Sequence, residues 1–232
     1  DTTPEGEQVN IYGNHVGSWN FAATAYLNRW KVKIYYEHYF DDHSQMFFQY
    51  GRWKDGHIGL EITFPKNRFI DTFVYEGLGT KDQTGPMLYD SFWGKFEEQI
   101  SAKDNYYNHY LYQGWQHWGM GIGNPLLPGP IYNKNGQITF ISNRVLAHHI
   151  GFCGSPCQSL SYRMLLSYSR HWGTYDNPLN EIKKQFNSLF EVTYAPQQLT
   201  GWSFTVSGAM DRGSILGNNY GGMLVIRKQG II

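Results

Sequence analysis

What most constrains this chain is a strict alternation of apolar and polar side chains that returns in segment after segment. In "WNFAATAYLN" the positions Trp19, Phe21, Ala23, Ala25 and Leu27 are apolar or small, with Asn20, Thr24 and Asn28 among the residues between them. "WKVKIYYEHYFDD" sets Trp30, Val32, Ile34, Tyr36 and Phe40 against Lys31, Lys33, Glu37 and Asp41, and "HIGLEITF" sets Ile58, Leu60, Ile62 and Phe64 against His57, Glu61 and Thr63. The same rhythm runs through "SYRMLLSYSRHW" (Tyr162, Met164, Leu166, Tyr168), "SLFEVTY" (Phe190, Val192, Tyr194) and "WSFTVSGAMD" (Trp202, Phe204, Val206). A period of two throws successive side chains to opposite sides of an extended backbone, so each segment reads as a strand with one apolar face. "YGGMLVIRK" fits a closing strand, "FIDTFVYEG" alternates less cleanly, and "QITFISNRVLAHHIGF" is long enough for a strand with a bend. Tips such as "KDG", "DNP" and "APQQLTG" carry turn residues. Helical periodicity is weak and confined to "YDSFWGKFEEQI" and "NEIKKQFNSL". The expected fold class is all-β, an antiparallel meander of about ten strands.

Such a sheet can bury its apolar face in a sandwich or turn it toward lipid in a barrel. The strand candidates run about nine to thirteen residues, the length that crosses a bilayer at a tilt and longer than the five or six usual in soluble sheets. Aromatic residues gather at the strand ends, as at Trp19, Trp30, Trp172 and Trp202, in the manner of interfacial girdles. The opposite face carries Lys31, Lys33, Glu37, Glu61, Arg163 and Glu191, a mixed set suited to a hydrated or self-paired lumen. Composition agrees: charged residues are 16% and aromatic residues 17%, against about 25% charged in ordinary soluble domains. The expectation is therefore an antiparallel up-and-down transmembrane β-barrel, with residues 1–232 forming a single barrel domain or the C-terminal part of a larger barrel. No apolar run is long enough for a membrane helix. The first residues, "DTTPEGEQVN", lack a basic region followed by an apolar one, so a signal peptide is expected to have been removed or the chain to start inside a longer protein. Lys plus Arg and Asp plus Glu both number 19, a balance that argues against nucleic acid as a partner.

The stretch "QGWQHWGMGIGNPLLPGP" concentrates five glycines, three prolines and two tryptophans, with His117 its one titratable side chain. That composition suits contact rather than reaction. Prolines would fix the backbone and glycines allow close approach, presenting Trp115 and Trp118 as flat apolar faces on which the CH face of a sugar ring can pack. Asn105, Tyr106, Tyr107 and His109 lie just upstream, and Asn124 lies within the stretch. They complete the candidate polysaccharide-binding set. The plainer alternative is that these rings fill the mouth or lumen of the barrel.

In order along the chain, "YYEHYFDDHSQM", "TKDQTGP", "DNYYNH", "GNPLLPGP", "NRVLAHHIG", "YRMLLSYSRHWGTY" and "GNNYGGMLVIRKQG" resemble the C-terminal portion of Wzi-like capsule assembly proteins, particularly those of Bacteroidetes. The likeness runs from about Trp30 to the end. It implies an outer-membrane barrel at the bacterial cell surface, in contact with the lipid bilayer, that binds capsular polysaccharide and helps anchor the capsule without catalysis and without a cofactor.

Other constellations carry less. Glu37, Asp41 and His43 would share one strand face near metal-ligand composition, yet a solvated strand end accounts for them, and no metal site is expected. His148 and His149 point opposite ways and suit structural hydrogen bonds better than catalysis or zinc binding. Ser167 or Ser169 with His171 and Asp176 could be assembled into a hydrolase site, but no nucleophile elbow is present. The neighbouring carboxylates Glu97 with Glu98 and Asp41 with Asp42 would diverge. No catalytic residue is assigned. Cys153 and Cys157 could close a small disulfide loop or stay free. The alternatives to polysaccharide binding are an outer-membrane hydrolase of lipid or glycan and a passive channel.

Overall fold

A computed structural model describes residues 17–40, 55–67, 69–82, 116–117, 120–121, 126–127, 136 and 139–230. The strands are β1 (Gly17–Leu27), β2 (Trp30–Phe40), β3 (Gly56–Thr63), β4 (Thr72–Gly79), the two-residue β5 (Gln116–His117) and β6 (Met120–Gly121), β7 (Val145–Cys157), β8 (Leu160–Gly173), β9 (Pro178–Tyr194), β10 (Trp202–Gly213) and β11 (Asn219–Lys228). β5 and β6 pair only with each other. The other nine form one antiparallel up-and-down sheet in the order β1-β2-β3-β4-β7-β8-β9-β10-β11. The expected all-β meander is thus present, and no helix occurs among the described residues.

Closure differs from the expectation of a barrel. Closing a sheet requires its first and last strands to pair, and among the described residues β1 bonds only to β2 and β11 only to β10. The nine strands form an open sheet. A second correction concerns "NEIKKQFNSL", whose weak helical pattern lies wholly within β9. Lys183 to Asn187 pair residue by residue with His171 to Ser167 of β8, and this ladder overrides the helical preference of Lys, Gln and Glu. "QITFISNRVLAHHIGF" is likewise shorter as a strand than expected. β7 begins only at Val145, and residues 139–144 form an irregular approach to it.

Register settles the two faces, because directly paired residues in an antiparallel ladder share a side. One row reads Phe21, Tyr36, Ile58, Gly77, His148, Tyr168, Phe186 across seven strands. The row that begins one residue further into β1 reads Ala22, Tyr35, Gly59, Glu76, His149, Ser167, Asn187, Asp211, Asn219 across all nine. The first belongs to an apolar face and the second to a polar one, as the alternation requires. Burial runs opposite to that of a water-soluble sheet, where apolar residues go inside. Val206 is 61% exposed while its neighbour Ser207 is 6% exposed, and Tyr168 is 39% exposed while Ser169 is 3% exposed.

The two ends of the sheet also differ. At one end the connections are short: residues 28–29, 64–71, 158–159 and 195–201. Asn28 sits at φ 57° in the first of them, a left-handed conformation that Asn tolerates better than most residues. At the other end lie the two long connections, 41–55 between β2 and β3 and 80–144 between β4 and β7, together with the short turns 174–177 and 214–218. The small apolar core is at this second end. Leu78, Val145 and Ala147, all on the polar side of their strands, close around Leu127 and Phe140 from the β4–β7 connection, with Tyr39 and Leu126 against them.

Candidate functional site

Every residue of the expected polysaccharide-binding set (Asn105, Tyr106, Tyr107, His109, Trp115, Trp118 and Asn124) lies outside the described residues. The connection in which they lie leaves the sheet after β4 and rejoins it at β7, and only these two ends, residues 80–82 and 139–144, are described continuously. Within it the β5–β6 ribbon pairs Gln116 with Gly121 and His117 with Met120.

The return of this connection is pinned by a buried polar cluster. Thr80 donates its hydroxyl to the Asn143 carbonyl at 2.7 Å and accepts the Val145 amide at 3.1 Å. The Gly173 amide donates to Ser142 Oγ at 3.2 Å, and Arg144 Nε donates to the Lys81 carbonyl at 3.0 Å. The Asp82 amide donates to Asp55 Oδ1 at 2.9 Å. Beside them Tyr175 donates to the Asp82 carbonyl at 3.0 Å, with the Arg144 guanidinium 3.9 Å over its ring. Burial pushes the Tyr175 phenol up, against the pull of Arg144. Asp55, Thr80, Ser142 and Asn143 are all at most 1% exposed. Such groups are costly to bury unless hydrogen-bonded, so the cluster fixes both ends of the long connection on the same rim.

Below the rim, the polar face is a hydrogen-bonded belt. Ser18 Oγ donates to Glu37 at 2.8 Å, His57 stands 3.8 Å from Glu37 and 3.5 Å from Glu76, and Tyr35 donates to Glu76. Tyr35 reaches Glu76 across β3 because Gly59 lies directly between them in the register, and a Cβ there would run into the Tyr35 ring. Further along, His149 Nδ1 and Ser167 Oγ are 2.7 Å apart, and Asn187 donates to Asp211 at 2.6 Å. Lys31 pairs with Glu61 at 3.7 Å and Arg163 with Glu191 at 3.3 Å. The charges expected on one face do share it; Lys31 and Arg163 are ion-paired, while Lys33 Nζ lies 5.1 Å over the Tyr35 ring.

The remaining candidates fall as follows. Glu37 is engaged by Ser18 and His57, while Asp41 and His43 lie outside the described residues, as do Asp42, Glu97 and Glu98. Among the described residues no group of three or more His, Cys, Asp or Glu could hold a metal ion. His148 bonds the Tyr75 hydroxyl at 2.8 Å and His149 bonds Ser167, so both make the structural hydrogen bonds expected of them. Ser169 Oγ lies 2.9 Å from His171 Nε2. However, His171 is 1% exposed and its Nδ1 has no hydrogen-bond partner among the described residues, so no described carboxylate orients that ring as a triad needs. Both cysteines are free thiols. Cys153 pairs with Arg163 on the polar side, and a bulge between Gly154 and Cys157 turns Cys157 to the side of Leu160, so the two point apart. The sequence reading missed the roles of Glu76 and Gly59. The one signal for them was a glycine interrupting a strand, which marks a close approach.

No family model matches this chain, and no curated protein matches it.

Proposed function

We propose that this chain is a β-barrel, or part of one, in a bacterial outer membrane, and that its long connections hold surface polysaccharide without chemical turnover. The observation that carries the membrane reading is the inverted burial: exposed rings and aliphatic chains on one face, a less exposed, hydrogen-bonded polar belt on the other. Lipid accepts the first and a hydrated or self-paired interior accepts the second. The dimensions agree. On β8 the apolar-side positions Leu160, Tyr162, Met164, Leu166 and Tyr168 carry no charge, and neither do Trp202, Phe204, Val206, Gly208 and Met210 on β10. Eight residue steps of about 3.3 Å make about 26 Å along a strand, or about 20 Å across a bilayer at a tilt of about 40°.

Outer-membrane barrels keep short turns inside the cell and long loops outside. On that rule the β2–β3 and β4–β7 connections face outward, and the segment with Trp115 and Trp118 belongs to the exterior rim. The polysaccharide part of the reading rests on that placement, on the aromatic and amide composition of the segment and on the resemblance to capsule assembly proteins. It is tested by titrating the detergent-held protein with capsular polysaccharide of its source, beside a Trp115→Ala/Trp118→Ala variant. Saturable binding that the variant weakens by tenfold or more, with no shortening of the glycan, is the expected result, since sugar-stacking rings contribute at the scale of about 1–3 kcal/mol each. Equal binding by the two proteins would remove the segment from the site.

A hydrolytic reading has one observation in its favour: the His149–Ser167 pair stands in register beside Glu76. Glycan shortening that Ser167→Ala abolishes would replace the binding reading with it.

A further inference from the structure

The apolar face carries no Asp or Glu at any strand position that the register assigns to it, and its Lys and Arg residues there are Arg170, Lys184, Arg212 and Lys228. Three of those cations gather on adjacent strands at the long-connection end: Arg170 on β8, Lys184 on β9 and Arg212 on β10. Each begins where an uncharged outward run stops, two residues beyond Tyr168, Phe186 and Met210 respectively. Arg170 is directly opposite Lys184. Arg212 is paired with Phe186 and is therefore diagonal to Lys184.

Like charges facing each other across a ladder repel, and no described carboxylate forms an ion pair with any of the three. The polar face does the reverse, setting Lys31 against Glu61 and Arg163 against Glu191. Aromatic rings flank the cations. The Arg170 guanidinium lies 5.5 Å from the Trp172 ring and Lys81 Nζ 5.1 Å from the same ring, with Tyr168 exposed beside them. A cationic triplet with interfacial rings, at the upper border of an acid-free apolar surface, has the composition of a headgroup site.

We infer that Arg170, Lys184 and Arg212 bind the phosphate groups of a lipid headgroup in the outer leaflet, of the phosphorylated lipid A kind. This rests on the membrane reading above. A phosphate placed between the three side chains would accept charge-assisted hydrogen bonds from two guanidinium forks and an ammonium, turning a repulsive cluster into a neutralised one. The lipid is held by its headgroup while its acyl chains run down the uncharged positions of β8, β9 and β10.

The test compares bis-phosphorylated lipid A with its dephosphorylated form, each offered in mixed micelles to the full chain and counted by native mass spectrometry. The wild-type protein is expected to retain the phosphorylated lipid about tenfold over the other, the scale of one charge-assisted hydrogen bond. Arg170→Gln/Lys184→Gln/Arg212→Gln brings the ratio close to one, while the charge-matched Lys31→Gln/Lys33→Gln/Arg163→Gln on the polar face leaves it unchanged. Equal retention of the two lipids by wild type, or a preference that survives the first triple variant, overturns the inference, and so does complete displacement by excess inorganic phosphate. The wild-type comparison needs no variant to fold, and Lys184→Gln alone, expected to halve the preference or more, covers the case in which the triple variant does not. In parallel, tryptophan fluorescence is recorded in bilayers with brominated acyl chains. Absence of quenching defeats the membrane reading itself, whereas quenching without a lipid preference defeats only the headgroup site.

Discussion

The two faces of this sheet are made from alternate residues of the same strands, yet they treat charge in opposite ways. On the polar face Lys31, Glu37, Glu61, Glu76, Arg163 and Glu191 lie under one another and are tied into ion pairs and hydrogen bonds. On the apolar face acids are absent from the registered strand positions, and rings and aliphatic chains stand exposed. A face that neutralises its own charge is crowded with partners, whereas the other face omits acids altogether. The proposed membrane reading rests on this difference, which holds whether or not the sheet closes.

That contrast is broken most directly by moving a charge across it. Val206→Arg, in the middle of the apolar face, is expected to cost about 2–4 kcal/mol in urea unfolding of the bilayer-reconstituted protein, while Ala209→Arg on the polar face of the same strand costs far less. Equal losses would mean that the two faces share one environment. Gly59→Val pushes the Tyr35 ring off its path over β3 and is expected to lower stability by about 1–3 kcal/mol, the usual effect of overpacking. Near-wild-type stability would show that the Tyr35–Glu76 link is dispensable. Glu76→Gln removes the charge that Tyr35 and His57 share and should cost about 1–2 kcal/mol. Combined with Tyr35→Phe it should cost less than the sum of the single changes, since one hydrogen bond is removed by both. The smallest effect belongs to Cys153 and Cys157. Their mass after alkylation should be the same with and without prior reduction, Cys157 should react faster than the less exposed Cys153, and changing both to Ser should shift stability by less than about 0.5 kcal/mol.

Much of the fold was legible in the residues alone. The strands at Trp19, Trp30, His57, Tyr162, Phe190 and Trp202 fall where the alternation puts them, because pattern and pleat are the same two-residue period. Long-range pairing was not legible. "NEIKKQFNSL" carries a weak helical pattern that the ladder with β8 overrides, and "QITFISN" looks like strand, yet residues 139–143 are irregular where Ser142 and Asn143 bury their polar groups against the rim. For the candidate site, the sequence singled out the aromatic connection, and the structure shows which rim anchors it. The Ser169–His171 contact was also readable as an i, i+2 pair on one strand face. That it is sealed off at 3% and 1% exposure was not, since burial depends on segments far away in the chain.

The sequence by itself determined that there are two chemically distinct faces and which residues belong to each, because side-chain alternation is a local property of extended backbone. Tertiary structure alone decided three things: that the polar face is the less exposed one, that Tyr35 meets Glu76 over Gly59, and that the two cysteines part across a bulge. Each of these requires a partner strand in a particular register. Register is fixed by the sum of many weak cross-strand contacts rather than by any residue's own preference.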